Sequence, residues 1–143
     1  MPSEIIHKKE IKVMEPRYKL TKAERLSGRK RIEHLYAKGK SFHSVPFRVT
    51  WCFTITNEKF PVCAMFTAPK KKFKKAVTRN RLKRLMRESY RKNKNTLYDF
   101  LKEKGKIIHL SFVFTGDATI TYADTEAKII VTLQRLMKEI NIK

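Results

Sequence analysis

A strongly basic stretch, residues 69–94, constrains the fold of this chain more than any other feature. Thirteen of its residues are lysine or arginine, and its one acidic residue is Glu88. On a helix beginning near Thr78, the residues that can be buried share one sector and the cations lie on the opposite side. The first sector holds Leu82, Leu85, Met86, Ser89 and Tyr90, continued by Leu97, and the second holds Asn80, Lys83, Arg84, Arg87, Arg91 and Lys94. The pattern predicts a helix that buries one stripe and presents a row of cations to a polyanion.

A helix face that is only exposed to solvent usually has a different sequence, in which glutamate alternates with lysine four residues apart. Here like charges crowd one another and cost stability unless a ligand neutralises them. The whole chain carries 34 lysines and arginines against 13 aspartates and glutamates, a formal net charge of +21. This balance favours nucleic acid as the partner. An anionic membrane is the rival, but the free face of the predicted helix has few large apolar residues.

The length and the cysteine content limit how the chain can be organised. Its 143 residues suffice for one domain with a core, which we place at residues 17–143, after a flexible arm at residues 1–16. The first residues lack the apolar run of a secretory signal. Cys52 and Cys63 are too few for a disulfide framework and lie in apolar segments, as expected for buried thiols in a reducing cytoplasm.

Three further helices are predicted from capping residues and apolar faces. The first covers residues 21–37, with Thr21 and Glu24 as a capping box and Gly39 as its stop, although Gly28 also permits two shorter pieces. The second, residues 97–104, ends at Gly105. The last begins near residues 121–124, and its apolar face comprises Ile129, Ile130, Leu133, Leu136, Met137 and Ile140.

Three strands are predicted from alternating patterns at residues 47–56, 60–68 and 106–115, the first two joined by a turn at residues 57–58. Together with the helices, they indicate a small single-domain α+β sandwich, a sheet with helices packed on one face. The other face should then be open to solvent. It would carry Arg48, Thr50, Cys52, Thr54, Met65, Thr67, His109 and Ser111.

The sequence offers no sign of protein-borne catalysis. Its four histidines lack metal-ligand spacing, and phosphate-loop, zinc-protease and nucleophile-elbow motifs are absent from the sequence. Carboxylates are scarce where a two-metal nuclease needs several. We interpret Asp124 as a helix cap and His109 as a strand histidine that forms a hydrogen bond. No catalytic or metal-binding residue is therefore predicted.

Residues 76–91, preceded by Lys70 and Lys71, resemble the signature of the bacterial ribonuclease P protein component. In that family an Arg-Asn-Arg core is followed by a hydrophobic residue, Lys-Arg, and then Arg-Glu-Ser-aromatic-Arg; this chain has Arg79-Asn80-Arg81 and the rest of the motif in order. A looser resemblance extends over residues 18–140. It implies a mixed central sheet of the ribosomal protein S5 domain 2-like type, with a left-handed βαβ crossover that the general rule disfavours.

The resemblance also implies a function, that of a protein cofactor for a catalytic RNA that removes the 5′ leader from precursor tRNA. Mg²⁺ would be held mainly by the RNA, and the partners would be the ribonuclease P RNA and precursor tRNA, without a membrane or an obligate protein partner. The residues implied in binding the RNA subunit are Lys70, Lys71, Arg79, Asn80, Arg81, Lys83, Arg84, Arg87 and Arg91. Those implied in binding the leader are Ile32, Tyr36, Phe42, Arg48 and Thr50.

The chain departs from the family pattern at three positions. Pro69 stands where many members have serine, and Ile32 and Thr50 stand where some members have an aromatic residue. Because each lost stacking partner removes about 1–3 kcal/mol, leader binding should depend more on Tyr36, Phe42 and Arg48.

Two other functions are consistent with the composition. A general RNA-binding protein, such as a ribosome-associated protein or RNA chaperone, would share the charge but promote no site-specific cut. A stand-alone nuclease would need carboxylates for metal and would cut without added RNA. A DNA-binding helix-turn-helix is disfavoured, because no second helix adjoins residues 78–94 at the usual spacing.

Overall fold

The structure is a computed structural model that describes residues 20–55 and 58–142. The predicted arm at residues 1–16 lies outside this range. No helix within the described ranges combines the length and apolar character needed to cross a membrane.

Within residues 20–55 and 58–142, four α-helices and four strands follow a 3₁₀ turn at Lys22–Glu24. In chain order they are α1 (Arg29–Lys38), β1 (Lys40–Ser44), β2 (Phe47–Phe53), β3 (Val62–Thr67), α2 (Ala76–Asn93), α3 (Asn95–Lys104), β4 (Ile108–Phe114) and α4 (Tyr122–Ile142). The α+β class predicted from the sequence is confirmed.

The sheet is mixed, with strand order β1-β2-β4-β3. β2 is antiparallel to β1 and β4, whereas β3 runs parallel to β4 and is connected to it through α2 and α3. β1 was not predicted, and β2 and β3 do not form the adjacent hairpin that the turn at residues 57–58 suggested, because β4 lies between them. The left-handed crossover stays a prediction.

The main core lies between one face of the sheet and helices α2, α3 and α4. Alternate strand residues such as Val49, Trp51 and Phe112 meet Met86 of α2 and Leu136 of α4, all fully or almost fully buried. The aromatic rings pack closely, with Phe66 stacked on Phe112 at a centroid separation of 5.4 Å. This core turns the opposite side of α2 outward.

The first predicted helix is divided at Gly28. Gly28 has φ of +93°, a conformation that favours glycine, and it separates the 3₁₀ turn from α1. The alternative of two shorter pieces is therefore correct. The Glu24 carboxylate accepts the Thr21 backbone N–H at 2.8 Å, and α1 ends at Lys38, before Gly39.

The second face of the sheet is not open as predicted, because α1 and the segment before it cover much of it. The backbone N–H of Leu26 donates to the Ala64 carbonyl at 2.8 Å, so this segment lies beside β3. Leu26 and Leu35 pack with Cys52 and Cys63, beside the half-buried Ile32 and Met65. Four of the eight residues expected on an open face are instead buried, namely Thr50, Cys52, His109 and Ser111. Helices thus lie on both faces of the sheet, and Arg48 stays exposed beyond α1.

Candidate nucleic-acid interface

The loop before α2 fixes the start of the basic helix. Phe73 is buried and packs 5.8 Å from Phe114 between ring centroids, and its backbone N–H donates to the Pro69 carbonyl at 2.9 Å. Pro69 is therefore accommodated in a compact turn. Lys70 and Lys71 lie exposed on this turn, with four residues or more between them and the start of the helix at Ala76.

The cationic side of α2 faces outward over most of its length. Asn80 and Arg84 are exposed, and Lys83 and Arg87 are half-buried. Within residues 20–55 and 58–142, Lys83, Arg84 and Arg87 form no side-chain hydrogen bond or ion pair within 4.0 Å. We call the predicted RNA-subunit-binding set the basic-helix surface, comprising Lys70, Lys71, Arg79, Asn80, Arg81, Lys83, Arg84, Arg87 and Arg91. The structure brings all of them to α2 and the turn before it.

Three arginines of the basic-helix surface also have partners within the protein. Arg79 donates to the carbonyls of Phe73 and Lys74 at 2.8 and 2.9 Å, and Arg81 donates to Ala118 and Ile120 at 2.7 and 2.6 Å. Arg91 pairs with Glu88 at 2.9 Å and holds the pKa of that carboxyl below its ordinary value. Arg79 and Arg81 hold the loops before α2 and before α4, and Arg91 pairs within α2. Lys83, Arg84 and Arg87 form no ion pair or side-chain hydrogen bond with the described residues, although the charge of Arg84 also lowers the pKa of Glu88.

Lys94 does not belong to the cationic row, contrary to the prediction. Its side chain is buried and pairs with Glu24, whose Oε1 also accepts the Tyr98 hydroxyl at 2.6 Å. The reason is that α2 ends at Asn93 and α3 begins at Asn95, so Lys94 lies at a junction rather than on the helix face.

A second exposed surface lies at the end of α1. The Tyr36 side chain is 49% exposed, and its hydroxyl forms a 2.7 Å hydrogen bond with the Ser111 Oγ. Ser111 is paired with Thr50, and Arg48 is the next residue on the same face of β2. We call Tyr36 and Arg48 the Tyr36 surface. It offers an exposed aromatic ring and an exposed cation on the same face of the sheet, which suits an unpaired nucleotide.

The other three predicted leader residues are not on the Tyr36 surface. Ile32 is half-buried against the Leu35 cluster, and Thr50 is 3% exposed with its hydroxyl 2.9 Å from that of Ser41. Phe42 points to the opposite face of the sheet, where it is buried in the main core beneath the Arg135 guanidinium. Placing Phe42 beside Tyr36 was therefore wrong, because β1 was not recognised as a strand with its own alternation.

A buried polar cluster beneath α1 joins residues that are distant in the sequence. Glu58 Oε2 accepts Arg31 at 2.7 Å and lies 3.0 Å from His109 Nε2, which bears out the interpretation of His109 as a hydrogen-bonding strand histidine. Possible ligand atoms of Glu58, Cys63 and His109 lie within 4.8 Å of one another, a grouping that sequence spacing did not reveal. Burial raises the pKa of the Cys63 thiol to about 11, so at neutral pH the thiol is protonated.

Sequence reasoning also missed a concave surface around Phe53, at the far end of β2. The period-two pattern assigned Phe53 to the core, yet its side chain is 37% exposed and lines a cavity with Lys30 and His34. The alternating run continues through Ile55, so no signal in the sequence marks Phe53 as the end of the strand.

Comparison with known proteins agrees with the fold and indicates the family of this chain. The ribonuclease P family model matches residues 20–141. The ribonuclease P protein component of Porphyromonas gingivalis is 33% identical over 121 residues, which is 85% of this chain and 88% of that protein. The component from Chlorobaculum tepidum is 45% identical over 64 residues, 42% of each chain.

Two solved structures share the fold. The RNase P protein of Staphylococcus aureus aligns with a TM-score of 0.65 and 21% identity, covering 80% of this chain and 96% of that one. The RNase P protein of Thermotoga maritima aligns with a TM-score of 0.59 and 23% identity, covering 78% and 96% respectively. These two likenesses show the fold, while the family match over residues 20–141 and the Porphyromonas gingivalis relative show that the chain belongs to the bacterial ribonuclease P protein family.

Proposed function

We propose that this chain is the protein subunit of ribonuclease P, and that it binds both the catalytic RNA and the 5′ leader of precursor tRNA. Family membership supports the subunit role. The observation that carries the RNA-binding assignment is the outward row of Lys83, Arg84 and Arg87 on a helix whose other side is buried. Such a row lies outside the core, and its charges suit the phosphates of an RNA.

In this proposal, the basic-helix surface binds the RNA subunit. Arginine guanidinium groups can hold a phosphate through two parallel hydrogen bonds, and Asn80 adds a donor and an acceptor near the start of the helix. The first backbone N–H groups of α2 also favour an anion there. The hydrogen bonds of Arg79 and Arg81 stiffen the loops before α2 and before α4, so less conformational freedom is lost when RNA binds.

The Tyr36 surface binds the 5′ leader of precursor tRNA in this proposal. A half-exposed ring held by a hydrogen bond to Ser111 can stack on an unpaired base, and Arg48 beside it can neutralise a phosphate. This contact would favour precursor over mature tRNA, since mature tRNA has no leader.

Magnesium ions, in this proposal, are held mainly by the RNA subunit and supply the chemistry of hydrolysis. The protein lowers repulsion between two RNAs, so it should reduce the magnesium concentration that cleavage requires. Cys52 and Cys63 are both free thiols, which supports a reducing compartment such as the cytoplasm.

The test mixes purified protein, the ribonuclease P RNA of the same organism and a 5′-labelled precursor tRNA at low magnesium, in all pairwise and three-way combinations. We expect cleavage at the mature 5′ end only when protein and RNA subunit are both present. Cutting by the protein alone would instead identify a stand-alone nuclease. Tight RNA binding with no gain in cleavage would identify a general RNA-binding protein.

A further inference from the structure

Phe53 is a rigid aromatic ring at the surface. It is the last residue of β2, and its ring meets that of Trp51 edge-on, at a centroid separation of 5.1 Å and an interplanar angle of 86°. Trp51 is buried, so one edge of the Phe53 ring is fixed to the core while the ring itself is 37% exposed. Ile55, two residues further on, is fully exposed. A supported ring of this kind can bind a flat partner without losing much conformational freedom.

Three cavities meet at Phe53, and cations line each of them. The first, of about 400 Å³, has Lys30 and Arg31 in its wall; the second, of about 380 Å³, has Lys38 and Lys40; the third, of about 250 Å³, has Lys104 and Lys106. None of the described residues that line the three cavities is acidic, although Arg31 already pairs with the Glu58 carboxylate at 2.7 Å. We call this the Phe53 surface, comprising Lys30, Lys38, Lys40, Phe53, Lys104 and Lys106.

The chemistry of the Phe53 surface fits a single strand of nucleic acid. Lys106 lies over the Phe53 ring, with its ammonium 5.5 Å from the centroid. An aromatic face surrounded by cations is how proteins bind unpaired nucleotides, through base stacking and phosphate neutralisation together. In a folded RNA most bases are already paired and stacked, whereas a leader supplies free ones.

The Phe53 surface is separate from the two surfaces described above. α2 follows the end of β3 at Thr67, whereas Phe53 is paired with Ile108 at the opposite end of the sheet. Arg48 of the Tyr36 surface lies five residues before Phe53 on β2, about 17 Å away at about 3.3 Å per residue, and this odd separation puts the two side chains on opposite faces of the sheet. Phe53 is, however, the last residue of β2, and two of its cavities are lined by Lys30 and Lys38 of α1, the helix that carries Tyr36. An extended strand that passes Tyr36 can therefore reach Phe53 along α1 and around the end of β2.

We propose that the Phe53 surface binds the upstream part of the precursor tRNA leader, with an unpaired base stacked on Phe53 and neighbouring phosphates held by the surrounding lysines. This inference rests on the proposed function, because it extends the leader beyond the Tyr36 surface. It predicts that affinity grows with leader length up to the nucleotide that reaches Phe53.

The experiment measures the affinity of the holoenzyme for precursors whose leader is shortened one nucleotide at a time, with wild-type protein and with Phe53→Ala, Phe53→Leu and Phe53→Trp. For long leaders we expect Phe53→Ala and Phe53→Leu to weaken binding about fivefold or more, the lower end of what one stacked base contributes. For short leaders all variants should match the wild type. Phe53→Trp should retain the gain, because it keeps a stacking face.

Controls separate this inference from the function on which it rests. Lys138→Ala removes an exposed charge from α4, outside the Phe53 surface, and should leave the leader-length dependence unchanged. Equal affinity of wild type and Phe53→Leu at every leader length would overturn the inference, and so would a loss that is the same for all leaders. Absence of cleavage by wild-type holoenzyme on any precursor would instead refute the proposed function. Thermal melts of each variant confirm that the protein is folded.

Discussion

Lys94 and Glu24, 70 residues apart in the sequence, form an ion pair that is almost completely buried. The same Glu24 carboxylate accepts the Tyr98 hydroxyl through Oε1 and the Thr21 backbone N–H through Oε2. The Glu24 side chain therefore caps the 3₁₀ turn at Lys22–Glu24 and connects it to the junction between α2 and α3. This contact helps to position the basic-helix surface.

Removing one partner of the pair should destabilise the domain strongly. In Lys94→Met the Glu24 carboxylate stays buried without its cation, and we expect the free energy of unfolding to fall by about 3–5 kcal/mol. The double variant Glu24→Leu/Lys94→Met leaves no unpaired charge and should recover much of the loss. Urea unfolding of the wild type and both variants tests this. A double variant that is no more stable than Lys94→Met would contradict the argument.

The pair also predicts how stability depends on pH. Burial alone would raise the pKa of Glu24, but hydrogen bonds from Lys94, Tyr98 and Thr21 outweigh it and hold the pKa below the ordinary value of 4.5. A carboxylate with a depressed pKa contributes stability that is complete above its unfolded pKa and is lost as the pH falls through the folded one. The free energy of unfolding should therefore decrease below pH 4.5 more steeply in the wild type than in Glu24→Leu/Lys94→Met. Parallel pH curves would show that Glu24 does not titrate as described.

Elements with a strong local period could be predicted from the sequence. The helices at residues 76–93 and 122–142 and the strand at residues 47–53 each carry their own apolar pattern, and each appears close to its expected position. β1 was missed because Phe42 is its only large apolar residue, too little for a visible alternation. The position of β4 between β2 and β3 depends on long-range pairing, which no local pattern encodes.

The same distinction holds for the site. The outward position of Arg84 and Arg87 on α2 could be predicted because it follows from the helical period alone. Thr50 and His109 could not, because their burial depends on α1 folding back over the sheet. Phe53 was assigned to the core because a period-two pattern predicts the face of the sheet on which a side chain lies. It does not predict where along the strand the covering helices end.

Arg84 and Arg87 should each contribute one phosphate contact to the RNA subunit. We expect Arg84→Ala and Arg87→Ala to weaken RNA binding and to reduce the slope of log K against log salt by about one each. Filter binding over a range of salt concentrations measures both quantities, with Lys138→Ala as a variant of equal charge change on another helix. Unchanged slopes for both arginine variants would remove α2 from the interface.

Phe42 should matter for stability and not for leader recognition. Its ring is buried in the main core, with the Arg135 guanidinium 4.6 Å from its centroid. Phe42→Ala should lower the free energy of unfolding by about 3–5 kcal/mol through the cavity it creates. The holoenzyme affinity for precursor relative to mature tRNA, measured below the unfolding transition, should stay at the wild-type value. A selective loss of precursor affinity with normal stability would return Phe42 to the leader site.

Tyr36 should make the opposite contribution. Its ring is half-exposed, so Tyr36→Ala removes little from the core, but it removes the aromatic face of the Tyr36 surface. If one leader base stacks there, precursor affinity should fall by about 1–3 kcal/mol while the affinity for mature tRNA is unchanged. Tyr36→Phe keeps the ring and loses only the hydrogen bond to Ser111, so it should lie near the wild type in precursor binding.

The two Tyr36 variants together separate stacking from positioning. A loss in Tyr36→Phe as large as that in Tyr36→Ala would mean that the Ser111 hydrogen bond, which holds the ring in place, carries the effect. Equal losses for precursor and mature tRNA would mean that Tyr36 contacts the tRNA body or the RNA subunit. Only a loss confined to precursor, and to the variant without a ring, assigns leader stacking to Tyr36.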